Sequence, residues 1–271
     1  MSECYRYLFI KNEQLKPCEE FTDLQVQNGI SLYEVLRVVS GKPIFLQEHF
    51  TRLCNSALHI NQLLWYNFED ISRFIHLLIE KNDVNEGNIK LVFNIQKNHK
   101  NFFAYFLAHK YPNKIQYTNG VRTMIHSAER PTPKAKVYHH QLRSKTNNII
   151  REAEIFEVLL LNKAGNLTEG SRSNLFFIKN NELYTAPDNE VLNGIARSKV
   201  LEIADKLNIT VHKTSIAYED IRYFDAAFLT GTSPMVLPIQ RINSLRYSVT
   251  HPLLSDILRT YRSLIKEYLN Q

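Results

Sequence analysis

Lys145 stands in the run Arg143-Ser144-Lys145-Thr146-Asn147-Asn148, between a proline-restricted loop and the expected start of a helix. A lysine aimed into a cleft by rigid neighbours and desolvated there can give up its proton and form a Schiff base with a carbonyl carbon. The stretch Thr168-Glu169-Gly170-Ser171-Arg172-Ser173-Asn174 crowds hydroxyls, an amide and a carboxylate into what reads as a loop between buried strands. Polar groups in such a place must be hydrogen-bonded, and the carboxylate suits a cationic partner. Leu192-Asn193-Gly194-Ile195-Ala196-Arg197 opens a helix, whose unpaired N–H groups and dipole suit a phosphate. Thr230-Gly231-Thr232-Ser233 follows a strand and supplies hydroxyl and amide donors for a phosphate or a carboxylate.

These groups need elements to hold them. Tyr5–Ile10 and Ser31–Val39 read as strands, the second after the Asn28-Gly29 loop. Ser40-Gly41-Lys42-Pro43 is turn chemistry before a helix that begins near Gln47. Phe50, Leu53, Cys54, Ala57 and Leu58 give that helix one apolar face, and 68–81 predicts a second. The period then falls to two, with strands over 89–95 and 102–108. His109–Gly120 has little apolar pattern. Beyond it the spacing predicts a strand over 121–127, helices over 147–156, 195–207 and 252–269, and strands over 158–162, 174–178, 182–185, 209–212 and 225–229. The expected division is a smaller domain over 1–115, an interdomain segment over 116–130 and a larger domain over 131–271.

Composition narrows the class. The 271 residues are 44% hydrophobic and 22% charged, as in a folded globular chain rather than a disordered one. The +6 net charge is scattered, which argues against a nucleic-acid stripe. Cys4, Cys18 and Cys54 are odd in number and lack CxxC spacing, so free thiols and no metal site are expected. No apolar run is long enough for a membrane span or a signal peptide, and a cytoplasmic location is the expectation.

The motifs become specific together. Tyr33-Glu34, Gly41, Glu48-His49 and Arg52-Leu53 come first, then Lys145-Thr146-x-Asn148 and Thr168-Glu169-Gly170-x-Arg172-Ser173-Asn174-Leu175-Phe176. Leu192-x-Gly194-Ile195-x-Arg197 and Thr230-Gly231-Thr232 with Leu237-Pro238 complete the order. This order resembles the class IV (fold-type IV) pyridoxal-phosphate aminotransferases, which include branched-chain and D-amino-acid aminotransferases and aminodeoxychorismate lyases. The likeness covers nearly the whole chain. It implies an α+β or α/β chain with a smaller N-terminal α/β sandwich and a larger barrel-like C-terminal domain, assembled as a homodimer.

The resemblance also implies roles. Lys145 matches the Schiff-base lysine, and Glu169 the carboxylate paired with the pyridine nitrogen of pyridoxal 5'-phosphate. Arg52 matches the arginine on the cofactor phosphate, joined by the amides of Ile195 and Ala196 and by Thr232, so its side chain is expected to serve the site more than the core. Leu192 matches the apolar residue on the ring. Tyr33 matches an aromatic position facing substrate, and Lys97, Arg172 and Ser233 complete the expected substrate set. Two positions depart from the pattern: Ala196 stands where many members carry a hydroxyl, and Gln96-Lys97-Asn98 where many carry Arg-Gly. Lys97 can replace that arginine only as a point charge. The implied activity moves an amino group from an amino acid to a 2-oxo acid. The alternative is an aminodeoxychorismate lyase that releases pyruvate, against which Val35 stands where a threonine is expected. A third reading, a cofactor-binding protein with an inactive site, is opposed by the intact Lys145 and Glu169.

Overall fold

The computed structural model describes residues 3–97, 99–109 and 111–270. The chain divides into two compact units, one of Met1–Lys110 with Ala135–Tyr138 and Tyr268–Gln271, the other of Tyr111–Lys134 with His139–Glu267.

The first unit contains β1 (Leu8–Lys11), β2 (Gln14–Pro17), α1 (Leu24–Gln27), β3 (Ile30–Val39), β4 (Lys42–Pro43), α2 (Leu46–Leu58), α3 (Phe68–Asn82), β5 (Glu86–Ile95) and β6 (Lys100–Leu107). Its sheet runs β2-β1-β6-β5-β3-β4 and is antiparallel throughout. Gly29 enters β3 with φ +78°, and a Cβ there would lie 2.4 Å from the Ile95 carbonyl oxygen, so only glycine fits. Period-two alternation sorts the side chains of β3 and β5 between two cores. Leu32, Leu36, Ile89, Leu91 and Phe93 pack with Leu53, Phe74, Ile75 and Leu78 of α2 and α3. Tyr33 and Val92 pack on the opposite face with Phe9, Phe21, Phe103 and Tyr105. α3 begins with a reciprocal Asn67–Asp70 capping box, which marks its start.

The second unit contains α4 (Lys114–Asn119), β7 (Val121–Ser127), α5 (His140–Glu152), β8 (Glu157–Leu161), β9 (Asn166–Gly170), β10 (Asn174–Lys179), β11 (Glu182–Thr185), α6 (Ile195–Lys206), β12 (Val211–Lys213), β13 (Ile216–Ala217), β14 (Ala226–Gly231), β15 (Met235–Ile242), β16 (Leu245–Arg246) and, as far as Glu267, α7 (Pro252–Asn270). Following the pairs β10–β14, β14–β15, β15–β7, β7–β8, β8–β9 and β9–β10 returns to the starting strand, so the sheet closes as a barrel. Closure removes the free edges that an open sheet would expose. The closing pair is Glu169 opposite Asn174. Leu159, Leu167, Leu175, Leu229, Leu237 and Ile239 supply its core.

Four expectations change. Cys4 and Cys18 are bridged, with Cα atoms 6.0 Å apart, because the β1–β2 hairpin brings the two ends together; Cys54 is unbridged. The stretch without apolar pattern holds α4, started by an Asn113–Gln116 capping box. Glu169 lies on strand β9, and the turn is confined to 171–173. α5 begins at His140, seven residues before the predicted start, so Lys145 lies within the helix rather than ahead of it. Among the described residues no helix is long and apolar enough to cross a membrane. Nor does any group of three or more His, Cys, Asp or Glu among them suit a metal ion.

Candidate active site

In the second unit Glu169, Asn174 and the Leu192 backbone meet where the barrel closes. Glu169 is 2% exposed. Its Oε1 accepts from Arg130 Nε at 2.7 Å, and its Oε2 accepts from Asn174 Nδ2 and from the Leu192 backbone N–H, both at 3.2 Å. A carboxylate this deep is tolerable because each oxygen has a donor and one donor is a cation. Asn174 Nδ2 also reaches the Leu192 carbonyl at 2.8 Å, tying the segment before α6 to β9 and β10. Gly194 follows, and a Cβ there would lie 2.1 Å from Asn174 Oδ1. The start of α6 is close against this network because residue 194 has no side chain.

Gly194 caps α6 with extended backbone and no side-chain bond to the helix. The leading N–H groups, those of Ile195 and Ala196 included, have no side-chain cap, the usual arrangement for an anion at a helix start. Ala196 contributes no hydroxyl. Arg197 belongs to the core: it is 2% exposed and bonded to Asp188, Asn193 and the Ala186 carbonyl. Thr230, which pairs with Asn174 across β10 and β14, carries a buried hydroxyl with no hydrogen-bond partner. Thr232 and Ser233 follow and are half-buried.

Lys145 is exposed on α5. His126 of β7 is its electrostatic neighbour. Burial pushes the His126 imidazole below the usual histidine value, and the Lys145 ammonium adds to the fall. Arg172 is exposed; its guanidinium bonds Asn147 of α5, and its N–H donates to Glu157 Oε2 at 3.2 Å. Glu157 was not legible as a site residue. Buried at the start of β8, it accepts from Ser171 Oγ at 2.7 Å, Ser173 Oγ at 3.0 Å and the Val158 N–H, which fixes the 171–173 turn. Arg130 was also missed. The proline-rich sequence around it reads only as non-helical, and its partner lies 39 residues away.

The first unit holds Arg52, Tyr33 and Lys97. Arg52 sits on α2 three residues after His49, so both face β3. Arg52 Nε and Nη2 donate to the two oxygens of Glu34 at 2.7 and 2.6 Å, and His49 Nδ1 lies 2.9 Å from Oε2. A carboxylate accepts only, so His49 carries its proton on Nδ1. Burial lowers the His49 imidazole and outweighs the pull of Glu34. Burial raises the Glu34 carboxyl, but Arg52 and then His49 overcome it and hold it well below the usual carboxylate range. Tyr33 is buried, edge-on to Tyr138 with ring centres 5.8 Å apart. Lys97 is exposed in a bend, and Asn98 lies outside the described residues.

Known proteins resemble this chain over most of its length. The family model described as Amino-transferase class IV matches residues 31–242. A protein of Rickettsia bellii (strain RML369-C) named as a probable branched-chain-amino-acid aminotransferase is 27% identical over 264 residues, covering 88% of this chain and 87% of its own. A D-alanine aminotransferase of Listeria monocytogenes serotype 1/2a (strain 10403S) is 26% identical over 244 residues, covering 84% and 83%. The crystal structure of a branched-chain aminotransferase from Thermoproteus uzoniensis with norvaline superposes with a TM-score of 0.85 at 24% identity, covering 98% of both chains. With a family match that takes in Glu34, Arg52, Lys145, Glu169 and the start of α6, the chain belongs to the class IV aminotransferases.

Proposed function

We propose that the chain is a pyridoxal-5'-phosphate-dependent aminotransferase that moves an amino group between an amino acid and a 2-oxo acid. The observation that carries this reading is the class IV match over residues 31–242. The second unit supports it with an uncapped helix start for a phosphate, a buried unpartnered Thr230 hydroxyl and a buried carboxylate for a ring nitrogen. In the proposed assignment Ile195, Ala196, Thr232 and Arg52 hold the phosphate, Glu169 the ring nitrogen and Leu192 the ring face. When bound, pyridoxal phosphate supplies a ring that accepts negative charge from the substrate Cα.

The protein residues do the rest. Glu169 keeps a proton at the ring nitrogen, and Asn174 and the Leu192 N–H hold the carboxylate in place for it. Lys145 Nζ takes the proton from the substrate Cα as base and returns it as acid. Arg172, Ser233, Tyr33 and Lys97 are proposed to receive the substrate. A homodimer is the proposed assembly and the cytoplasm the proposed location.

The test separates half-reactions. Protein loaded with pyridoxal phosphate is mixed with a branched-chain amino acid or with D-alanine, the donors for which relatives are named. A transaminase converts the bound cofactor to its amine form, seen in the visible spectrum, and releases the matching 2-oxo acid. Pyruvate released from aminodeoxychorismate without that spectral change makes the chain a lyase, and no response either to the donors or to aminodeoxychorismate defeats both readings.

Gly194 offers a second check. A Cβ at that position displaces Asn174 and disturbs its bonds to Glu169 and Leu192. Gly194→Ala is expected to weaken pyridoxal phosphate binding about ten-fold, from the loss of roughly one hydrogen bond beside the site. Fluorescence titration measures it, and a wild-type dissociation constant removes this contact from the site.

A further inference from the structure

We infer that Glu3 is a latch on a buried lysine of the first unit and that the Cys4–Cys18 bridge holds the latch shut. Lys90 of β5 is 4% exposed. Its Nζ lies 2.5 Å from Glu3 Oε2, with the rings of Tyr138, Tyr33 and Tyr105 at 4.5, 5.4 and 5.8 Å. Tyr105 Oη donates to Glu3 Oε2 at 2.9 Å, and Tyr138 Oη to Oε1 at 3.4 Å. Strand register builds the cage: Lys90 is opposite Val35 on one side and Tyr105 on the other, and Tyr33 is two residues along the same face of β3. An ammonium in such a place needs a countercharge. It comes from a residue 87 positions away, at the very start of the described chain.

The segment carrying Glu3 is held at several points. The Glu3 N–H donates to Asp23 Oδ1 at 2.9 Å, Cys4 bridges to Leu107, and the Tyr5 N–H donates to the Phe106 carbonyl at 2.9 Å. The covalent tie is Cys4–Cys18. The hairpin already joins Leu8 to Pro17, and the Cys18 N–H donates to the Tyr7 carbonyl at 2.8 Å. Disulfide stabilisation grows with the loop that is closed, so a bridge just outside a formed hairpin acts mainly on residues 4–7 and on Glu3 beside them.

A dithiol opens the tie. Its thiolate attacks one cysteine sulfur, its second thiol displaces the mixed disulfide, and two electrons and two protons leave Cys4 and Cys18 as thiols and the reagent as a disulfide. Glu3 then leaves Lys90, and the ammonium among the three tyrosines opens to solution. The device needs no cofactor and does not depend on the aminotransferase reading, although Tyr33 of the cage also belongs to the proposed substrate set.

Acetylation of the full-length protein with an N-hydroxysuccinimide ester, read at Lys90 by peptide mass spectrometry, tests it. Lys90 labelling is expected to rise about ten-fold on reduction with dithiothreitol, in line with local opening of the segment that carries Glu3. It should rise equally without reductant in the Cys4→Ser/Cys18→Ser variant. Glu3→Gln should raise labelling of the oxidised protein, with little further gain on reduction. Labelling unchanged by reduction overturns the proposal, as does a rise accompanied by loss of the circular dichroism of the fold. Thiol titration that finds Cys4 and Cys18 unbridged in protein isolated under air also overturns it.

Discussion

Lys145→Ala is expected to lower turnover by about a thousand-fold or more, because one side chain is proposed both to bond the cofactor and to carry the proton at Cα. The substitution should cost little stability. Lys145 is exposed on α5, and alanine is the best helix former, so the fold loses neither packing nor helix propensity. Circular dichroism and thermal unfolding should match the wild type while activity disappears. Borohydride reduction of the loaded wild type should leave a pyridoxyl mass on the Lys145 peptide and none on the variant. Retained activity, or a pyridoxyl group on another lysine of the wild type, removes the assignment.

The elements around Lys145 show what the sequence could and could not convey. Apolar periodicity located α2, α3, α6 and α7 closely, because each lays a recurring apolar face on a core. α5 is different. Its first turns read His-Gln-Leu-Arg-Ser-Lys, with no apolar face, and its N-cap, His139, makes no side-chain capping bond. β9 was hidden for the opposite reason, since its Thr168, Glu169 and Gly170 are buried yet not apolar. The partners of Glu169, namely Arg130, Asn174 and the Leu192 N–H, are brought together only by barrel closure. Residue types thus announced a carboxylate in need of a donor, and topology alone names Arg130. The same holds for Cys4 and Cys18, joined by hairpin register rather than by any spacing motif.

Arg52→Ala is expected to lose stability, contrary to the sequence-based expectation that this side chain serves the site more than the core. Glu34 is fully buried, and its carboxylate rests on two charge-assisted bonds from Arg52 and one from His49. Removing the arginine leaves a buried carboxylate with one neutral donor, a change that typically costs about 3–5 kcal/mol. Trp65 is the only tryptophan and packs on Phe93 in the first unit at 4.8 Å, so urea unfolding followed by its fluorescence reads the unit that carries the defect. A double-mutant cycle with Glu34→Gln should recover much of the loss, because the amide removes the unpaired charge. The pH dependence supplies an independent sign. With Arg52 in place the folded Glu34 titrates well below its usual value of 4.5, so its contribution is complete above that value and is lost as pH falls through the folded one. Without Arg52 burial is opposed only by His49, the folded value rises, and the acid limb of the stability curve should move to higher pH. Wild-type stability for Arg52→Ala at neutral pH would show that the pair does not hold the first unit together, and would return Arg52 to the phosphate alone.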